Sequence, residues 1–239
     1  MNAAEQQEIK KEFLLERIIL FSDAVFAIII TIMVIEIKMP EHLTTLAEGL
    51  KGIKNTDSEK VHQFNHEVKH AFKELVPRLL GYALSFFLVA NFWMRHIKIC
   101  SYLKDYNRTF LVYNLLFLFT ISLFPFGISF FAGTAGFNTL LYTYSVNIYI
   151  SVVLANLLTQ ALLVGFIVRN KAELCIANPN IETTLQWKVQ RLYYFIIPVL
   201  GIAVLIFNYF NLNFFFSLYT IPVAAIITGI ARRKYYPKK

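Results

Sequence analysis

Apolar positions along the chain gather into six long stretches, at 17–38, 75–97, 109–132, 140–168, 192–208 and 214–231, and the charged residues collect in the links between them. Each stretch is close to the roughly 20 residues that an α-helix needs to cross a bilayer. The pattern predicts an all-α integral membrane protein with six transmembrane helices per subunit. Pro125, Pro198 and Pro222 fall inside the third, fifth and sixth stretches. Membrane helices accept such prolines as local bends when neighbours re-satisfy the freed carbonyl.

The link at 40–74 carries a pattern of its own. Leu43, Leu46, Leu50 and Ile53 recur at helical spacing, and Thr56-Asp57-Ser58-Glu59 has the form of a capping box ahead of Val61, Phe64 and Val68. Two short amphipathic helices are expected over 41–74, forming an extracellular cap between helices 1 and 2. On the second of them His62, His66 and His70 stand at i, i+4 and i+8, which brings their imidazoles onto one face. Such a stripe suits transition-metal binding or pH sensing; an ordinary solvated helix face is the alternative.

Lys and Arg set the orientation, because short cytoplasmic links keep positive charge and translocated links lack it. The link after the second stretch carries Lys98, Lys104 and Arg108, and the link after the fourth carries Arg169, Lys171, Lys188 and Arg191. The tail holds Arg232, Arg233, Lys234, Lys238 and Lys239, whereas the links after the third and fifth stretches hold no base. Both termini are therefore expected in the cytoplasm of a multi-pass protein. The division that follows is a cytoplasmic N-terminal segment at 1–16, a six-helix transmembrane domain at 17–232 and a basic cytoplasmic tail at 233–239.

Composition agrees with this picture and narrows it. Hydrophobic residues make up 57% and charged residues 16% of the chain, with mean hydropathy +0.54, against about 25% charged in an average soluble domain. The formal net charge of +8 sits in links and tail, not in a basic stripe interleaved with stacking aromatics, so nucleic acid is not an expected partner. The polar start at 1–16 holds four acids against two bases, and the apolar run behind it is too long for a signal peptide, so the first helix is expected to stay in the mature protein. Cys100 and Cys175 both fall in segments assigned to the cytoplasm and are expected as free thiols.

The first stretch holds a single charge between Ile18 and Ile35, Asp23, next to Ser22. An ionisable group at that depth is costly in hydrocarbon and faces other helices or a functional path. On a wheel of about 100° per residue centred on Ile28, the residues Phe21, Ala24, Val25, Ile32 and Ile35 lie close around it, with Thr31 at the margin. Ser22 and Asp23 point the other way. The apolar seam suits either helix packing or a pore wall. For Asp23 the available donors are at the end of the second stretch, and an inter-helix network of Asp23, Ser22, Trp93 and His96 is expected.

At this point the chain resembles a known family. Arg17, Phe21-Ser22-Asp23-Ala24-Val25-Phe26-Ala27-Ile28 and Thr31, then Trp93, His96, the Asn114–Phe117 run and Leu123-Phe124-Pro125, are similar to the transmembrane-protein-175 family of potassium channels in its single-repeat prokaryotic form. That resemblance implies a homotetramer in the plasma membrane of a prokaryote, conducting potassium among the monovalent cations. Four copies of the first helix would line the pore with Ile28, Thr31, Ile32 and Ile35, and Arg17, Phe21, Ser22, Asp23, Trp93 and His96 would form the structural motif. It implies no cofactor beyond the permeant potassium ion. A ring of isoleucines cannot coordinate a cation, so it acts as a dry constriction that strips part of the hydration shell. A proton-coupled secondary transporter using Asp23 is the alternative function. An enzyme is not expected: Ser22 and Asp23 are adjacent on a helix and face apart from a shared histidine, and no oxyanion-type turn accompanies them.

Overall fold

The first helix enters the protein well before its apolar part, and the reason is continuity of helical propensity through Glu, Gln, Lys and Leu. The structure, a computed structural model, describes residues 3–37, 58–134, 140–176, 180–209 and 220–236. In chain order the helices are α1 (Ala3–Ile35), α2 (Ser58–Cys100), α3 (Arg108–Ser122), α4 (Phe124–Thr134), α5 (Leu140–Arg169), α6 (Lys171–Leu174), α7 (Ile181–Thr184), α8 (Trp187–Gln190), α9 (Tyr193–Tyr209) and α10 (Thr220–Tyr235). Among the described residues the extended backbone is limited to one isolated antiparallel bridge, between Leu103 and Cys175.

Four helical stretches are long and apolar enough to cross a membrane: Glu5–Ile35, Phe64–Cys100, Arg108–Thr134 and Leu141–Arg169. The protein is thus a multi-pass helical membrane protein. The fifth and sixth apolar stretches overlap α9 and α10, of which 17 and 16 residues are described.

One expectation needs correction. The second outer helix is not a separate element, because Ser58 to Cys100 is one helix of 43 residues that carries the histidine stripe and the second span together. Nothing in 58–74 breaks it: Pro77 is the first proline after the capping box, and helices absorb a proline where neighbouring groups compensate. The first outer helix falls at 41–57, outside the described residues. The third stretch keeps the expected form, one span from Arg108 to Thr134 bent at Leu123, where α3 and α4 meet. There the Leu123 N–H donates to Thr120 O at 3.3 Å, closing α3 with a tight turn, and Gly127 N–H donates to Leu123 O at 2.9 Å as α4 begins. Pro125 explains the bend, since it lacks an N–H and its ring excludes the carbonyl four residues back. Pro222 lies in α10, described from Thr220.

α5 is the central element. It packs against α3, α4 and α9, while α1 lies to one side against α2, α3 and α4. Polar clasps fix these contacts, as expected where lipid supplies no hydrophobic drive between helices. Asn156 Nδ2 donates to Thr120 O at 2.9 Å, Thr120 Oγ1 donates to Asn156 Oδ1 at 3.0 Å, and Thr159 Oγ1 lies 2.9 Å from Thr120 Oγ1. The Ser85 and Tyr149 hydroxyls join α2 to α5 at 2.8 Å, and Tyr194 OH donates to Ala161 O at 2.8 Å. Gly165 admits α8 and α9 to α5, since a Cβ there would meet the Trp187 ring at 2.8 Å and collide with the Tyr194 hydroxyl.

The links on the α2 and α5 exit side are tied to each other. Lys104 N–H donates to Leu174 O at 2.8 Å and Ile176 N–H to Tyr102 O at 2.9 Å, pairing the 101–107 link with the 171–180 link. Cys100 and Cys175 are both buried free thiols. Burial pushes the Cys175 thiol up, with Lys104 offsetting part of the rise. Lys11 on the polar part of α1 donates to Asp105 Oδ2 at 2.9 Å. That hydrogen bond, with a second from Tyr106 N–H, holds the Asp105 carboxyl below the usual carboxylate range.

Candidate functional site: two faces of the first helix

α1 divides along its length into a covered face and a bare one. Leu15, Ser22, Phe26, Ile29 and Met33 are buried, at the three- and four-residue spacing that keeps them on one side of the helix. On the opposite side Ile28 is 57% exposed, Ile32 39% and Ile35 72%, and Phe21, Ala24 and Thr31 are exposed with them. Val25 is half-buried at the border and packs against the core.

The covered face is organised by a relay of hydrogen bonds through three helices. Ser22 Oγ donates to Ile18 O at 2.9 Å, the usual resting place of a helical serine hydroxyl. Asn114 Nδ2 on α3 donates to Ser22 Oγ at 3.0 Å, and Asn114 Oδ1 lies 2.8 Å from His96 Nε2 on α2. An amide oxygen can only accept, so the relay assigns the proton of His96 to Nε2. Nδ1 is left as an acceptor, 3.7 Å from Cys100 Sγ. Every polar atom along this line has a partner, which a buried group requires. The His96 ring is 1% exposed and stacks on Phe117 at 5.6 Å and 16°, with Phe26 tilted against it at 5.8 Å.

Asp23 makes a separate contact: Trp93 Nε1 donates to Asp23 Oδ1 at 2.9 Å. The structure therefore brings the four expected residues together in two pairs of helix contacts, Asp23 with Trp93 and Ser22 with His96, the second pair joined through Asn114. Asn114 was missed as the bridging residue. Its signal was present, since it is the one amide between Arg108 and Thr120 in an otherwise apolar run, and such residues in a span face other helices. Arg17 is exposed, its guanidinium 5.9 Å over the Phe13 ring one turn earlier.

Thr31 Oγ1 donates its hydrogen to Ile28 O at 2.7 Å. The hydroxyl oxygen keeps its lone pairs free on the bare face. His62, His66 and His70 lie exposed along α2, and among the described residues no group of three His, Cys, Asp or Glu side chains is placed to hold a metal ion.

Such a fold defines a class: a multi-pass helical membrane protein whose first helix is fastened on one side by buried polar contacts and presents an uncovered apolar face on the other. Over residues 17–125, a little under half of its length, the chain is similar to the TMEM175 family. The family profile described as endosomal/lysosomal potassium channel TMEM175 matches residues 17–125, which contain α2, the Ser22–Asn114–His96 relay and the Asp23–Trp93 contact. A potassium channel of Chryseobacterium sp. (strain P1-3) is 28% identical over 198 residues, covering 82% of this chain and 85% of that protein. A potassium channel of Chamaesiphon minutus is 31% identical over 110 residues, 46% of this chain and 45% of the relative, so that alignment spans less than half of the relative's length. The crystal structure of a lysosomal potassium-selective channel TMEM175 homolog from Chamaesiphon minutus shares the fold, with a TM-score of 0.59 at 20% identity over 91% of this chain and 97% of that one.

Proposed function

We propose that this chain is the subunit of a potassium-selective cation channel, a homotetramer in a prokaryotic plasma membrane in which four copies of α1 surround the pore. Each subunit crosses the membrane six times, with both termini in the cytoplasm and the N-terminal part of α2 extending outside the membrane. The observation that carries the reading is the bare face of α1, where Ile28, Ile32 and Ile35 stay exposed although the other side of the same helix is fully packed. An apolar face can rest against lipid, so exposure alone does not choose a pore. Similarity to the TMEM175 family and to relatives named as potassium channels supports the pore reading.

In this arrangement rings of Ile28, Ile32 and Ile35 form a constriction that wets poorly and forces a cation to shed water. Potassium sheds water at lower cost than sodium, so the dry ring penalises sodium more. Thr31 lies between the isoleucine rings, and its hydroxyl, already donating to the Ile28 carbonyl, turns oxygen lone pairs toward a partly dehydrated ion. The Ser22, Asn114 and His96 relay together with Asp23 and Trp93 hold the helix at a set rotation, so that the same residues face the axis in every subunit. Arg17 and Phe21 complete the structural motif at the entry of the helix.

Current recording from purified protein in planar bilayers under opposed potassium and sodium gradients tests this directly. A reversal potential near the potassium equilibrium value is expected. Solute flux that saturates far below channel rates would instead support proton-coupled transport through Asp23. Replacing Ile28 with Asn is expected to raise leak and blur selectivity, and an unchanged permeability ratio in that variant would remove Ile28 from the pore wall.

A further inference from the structure

Away from α1, a cavity of about 300 Å³ opens where the end of α2 meets α8 and the basic end of α10. Its charged lining is of one sign: Arg95, Lys98 and Arg232, with no carboxylate among the lining residues. Arg95 and Lys98 stand three residues apart on α2 and so share a face. Arg232 reaches the cavity from α10. With the Gln186 amide oxygen turned toward it, that oxygen accepts from Arg232 Nε at 3.2 Å and Nη2 at 3.1 Å, which fixes the guanidinium and leaves its remaining N–H donors to the cavity. Gln186 takes a left-handed backbone, φ 54°, to deliver its side chain there. A non-glycine residue at positive φ is a strained choice that the surroundings must enforce.

A second observation points to a missing ligand. Gln190 lines the same cavity, is 9% exposed, and its Oε1 is buried without a hydrogen-bond partner. Buried amides without partners are rare in native proteins. As an acceptor, this oxygen can take a hydrogen bond from a hydroxyl of the ligand, such as a protonated phosphate oxygen or a headgroup glycerol. Three cations, a waiting amide and an apolar wall from Ile99 and Val164 form a receptor for a compact multivalent oxyanion. The volume lies at the small end of the range for ligand pockets, enough for a headgroup and too little for acyl chains.

We infer that this cavity binds a phosphate group, carried by the headgroup of an anionic lipid or present as free phosphate. The position fits both sources, because α2 is a membrane-crossing helix whose last turn reaches the cavity and α10 ends there in Arg232, Arg233 and Lys234. Basic clusters at such boundaries collect anionic headgroups. Binding here is independent of which ion the protein conducts.

The test uses the purified full-length protein and reads binding by native mass spectrometry and by thermal melting, with no current measured. Its probes are short-chain phosphatidylglycerol, short-chain phosphatidylcholine and inorganic phosphate. Phosphatidylglycerol is expected to be retained and to raise the melting temperature, and Lys98→Gln, Arg232→Gln and Arg95→Gln each to weaken it about fivefold. Arg233→Gln, on the same helix but outside the cavity, is expected to leave affinity unchanged. Binding of phosphatidylglycerol without phosphate identifies a lipid headgroup as the source, and binding of both shows that the phosphate alone suffices. Failure of both to bind, equal retention of phosphatidylcholine, or an Arg233→Gln loss as large as that of the lining residues overturns the inference. Lys98 and Arg232 are exposed, so their variants keep the test open if Arg95→Gln does not fold.

Discussion

The two faces of α1 are built from much the same amino acids and have opposite fates. Phe26, Ile29 and Met33 are buried, and Phe21, Ile28, Ile32 and Ile35 are not, although both sets are apolar. What separates them is the polar residue on each side. Ser22 lies on the covered face and finds Asn114 and, through it, His96; Thr31 lies on the bare face and finds only the carbonyl of its own helix. In a membrane apolar side chains have no strong preference for protein over lipid, so the directional contacts decide which face turns inward. The lesson is that hydrophobicity places this helix in the bilayer and a few hydrogen bonds set its rotation.

The difference can be broken most sharply by paired substitutions. Phe26→Ala empties a site against the stacked His96 and Phe117 rings, and a loss of about 3–5 kcal/mol is expected, read as a lowered melting temperature of the purified protein. Ile28→Asn, on the other face, is expected to alter the stability of the subunit by no more than about 0.5 kcal/mol while changing permeability. Comparable destabilisation by the two variants would show that the bare face is covered within the subunit.

A smaller effect is expected from Asn114→Leu, which leaves the His96 Nε2–H without its acceptor and the Ser22 hydroxyl without its donor. The expected cost is about 1–3 kcal/mol in thermal or denaturant unfolding. Its combination with Ser22→Ala should cost less than the sum of the two, since they act on one relay. Strict additivity would mean that the relay does not act as a unit.

The smallest effect concerns the polar part of α1. Lys11→Ala removes the exposed pair with Asp105 and is expected to cost about 0.5 kcal/mol or less. Because the folded-state pKa of Asp105 is lowered, its contribution is present above the ordinary carboxylate value and disappears as pH falls through the lowered one. Melting curves of the parent and Lys11→Ala proteins should therefore differ near neutral pH and converge in acid. A difference that persists in acid would assign the effect of Lys11 to packing.

Parts of the architecture were legible in the chain for a physical reason: a bilayer demands long apolar helices, and long apolar runs are visible without knowing their neighbours. The wheel of the first stretch separated Ser22 from Ile28 correctly because helical geometry alone fixes that angle. The pairing of Asp23 with Trp93 was anticipated from the shortage of other donors at that depth. Asn114 was not assigned as the bridge, because nothing in a linear chain says which of several polar residues on three helices will meet. The bend near Pro125 was expected from the proline itself, whereas the fusion of the histidine stripe with the second span was hidden, since it depends on whether local helix continuity outlasts a polar segment.

By itself, then, the sequence determined that this is a helical membrane protein, which residues share each face of its first helix, and where its charges gather, since all three follow from composition and the period of the helix. Only the tertiary structure decided which of two equally apolar faces is covered, that Asn114 links Ser22 to His96, and that Arg95, Lys98 and Arg232 converge on one cavity from helices far apart in the chain. Those outcomes rest on the angles and depths at which helices cross, and such relations belong to pairs of elements and not to any one stretch of residues.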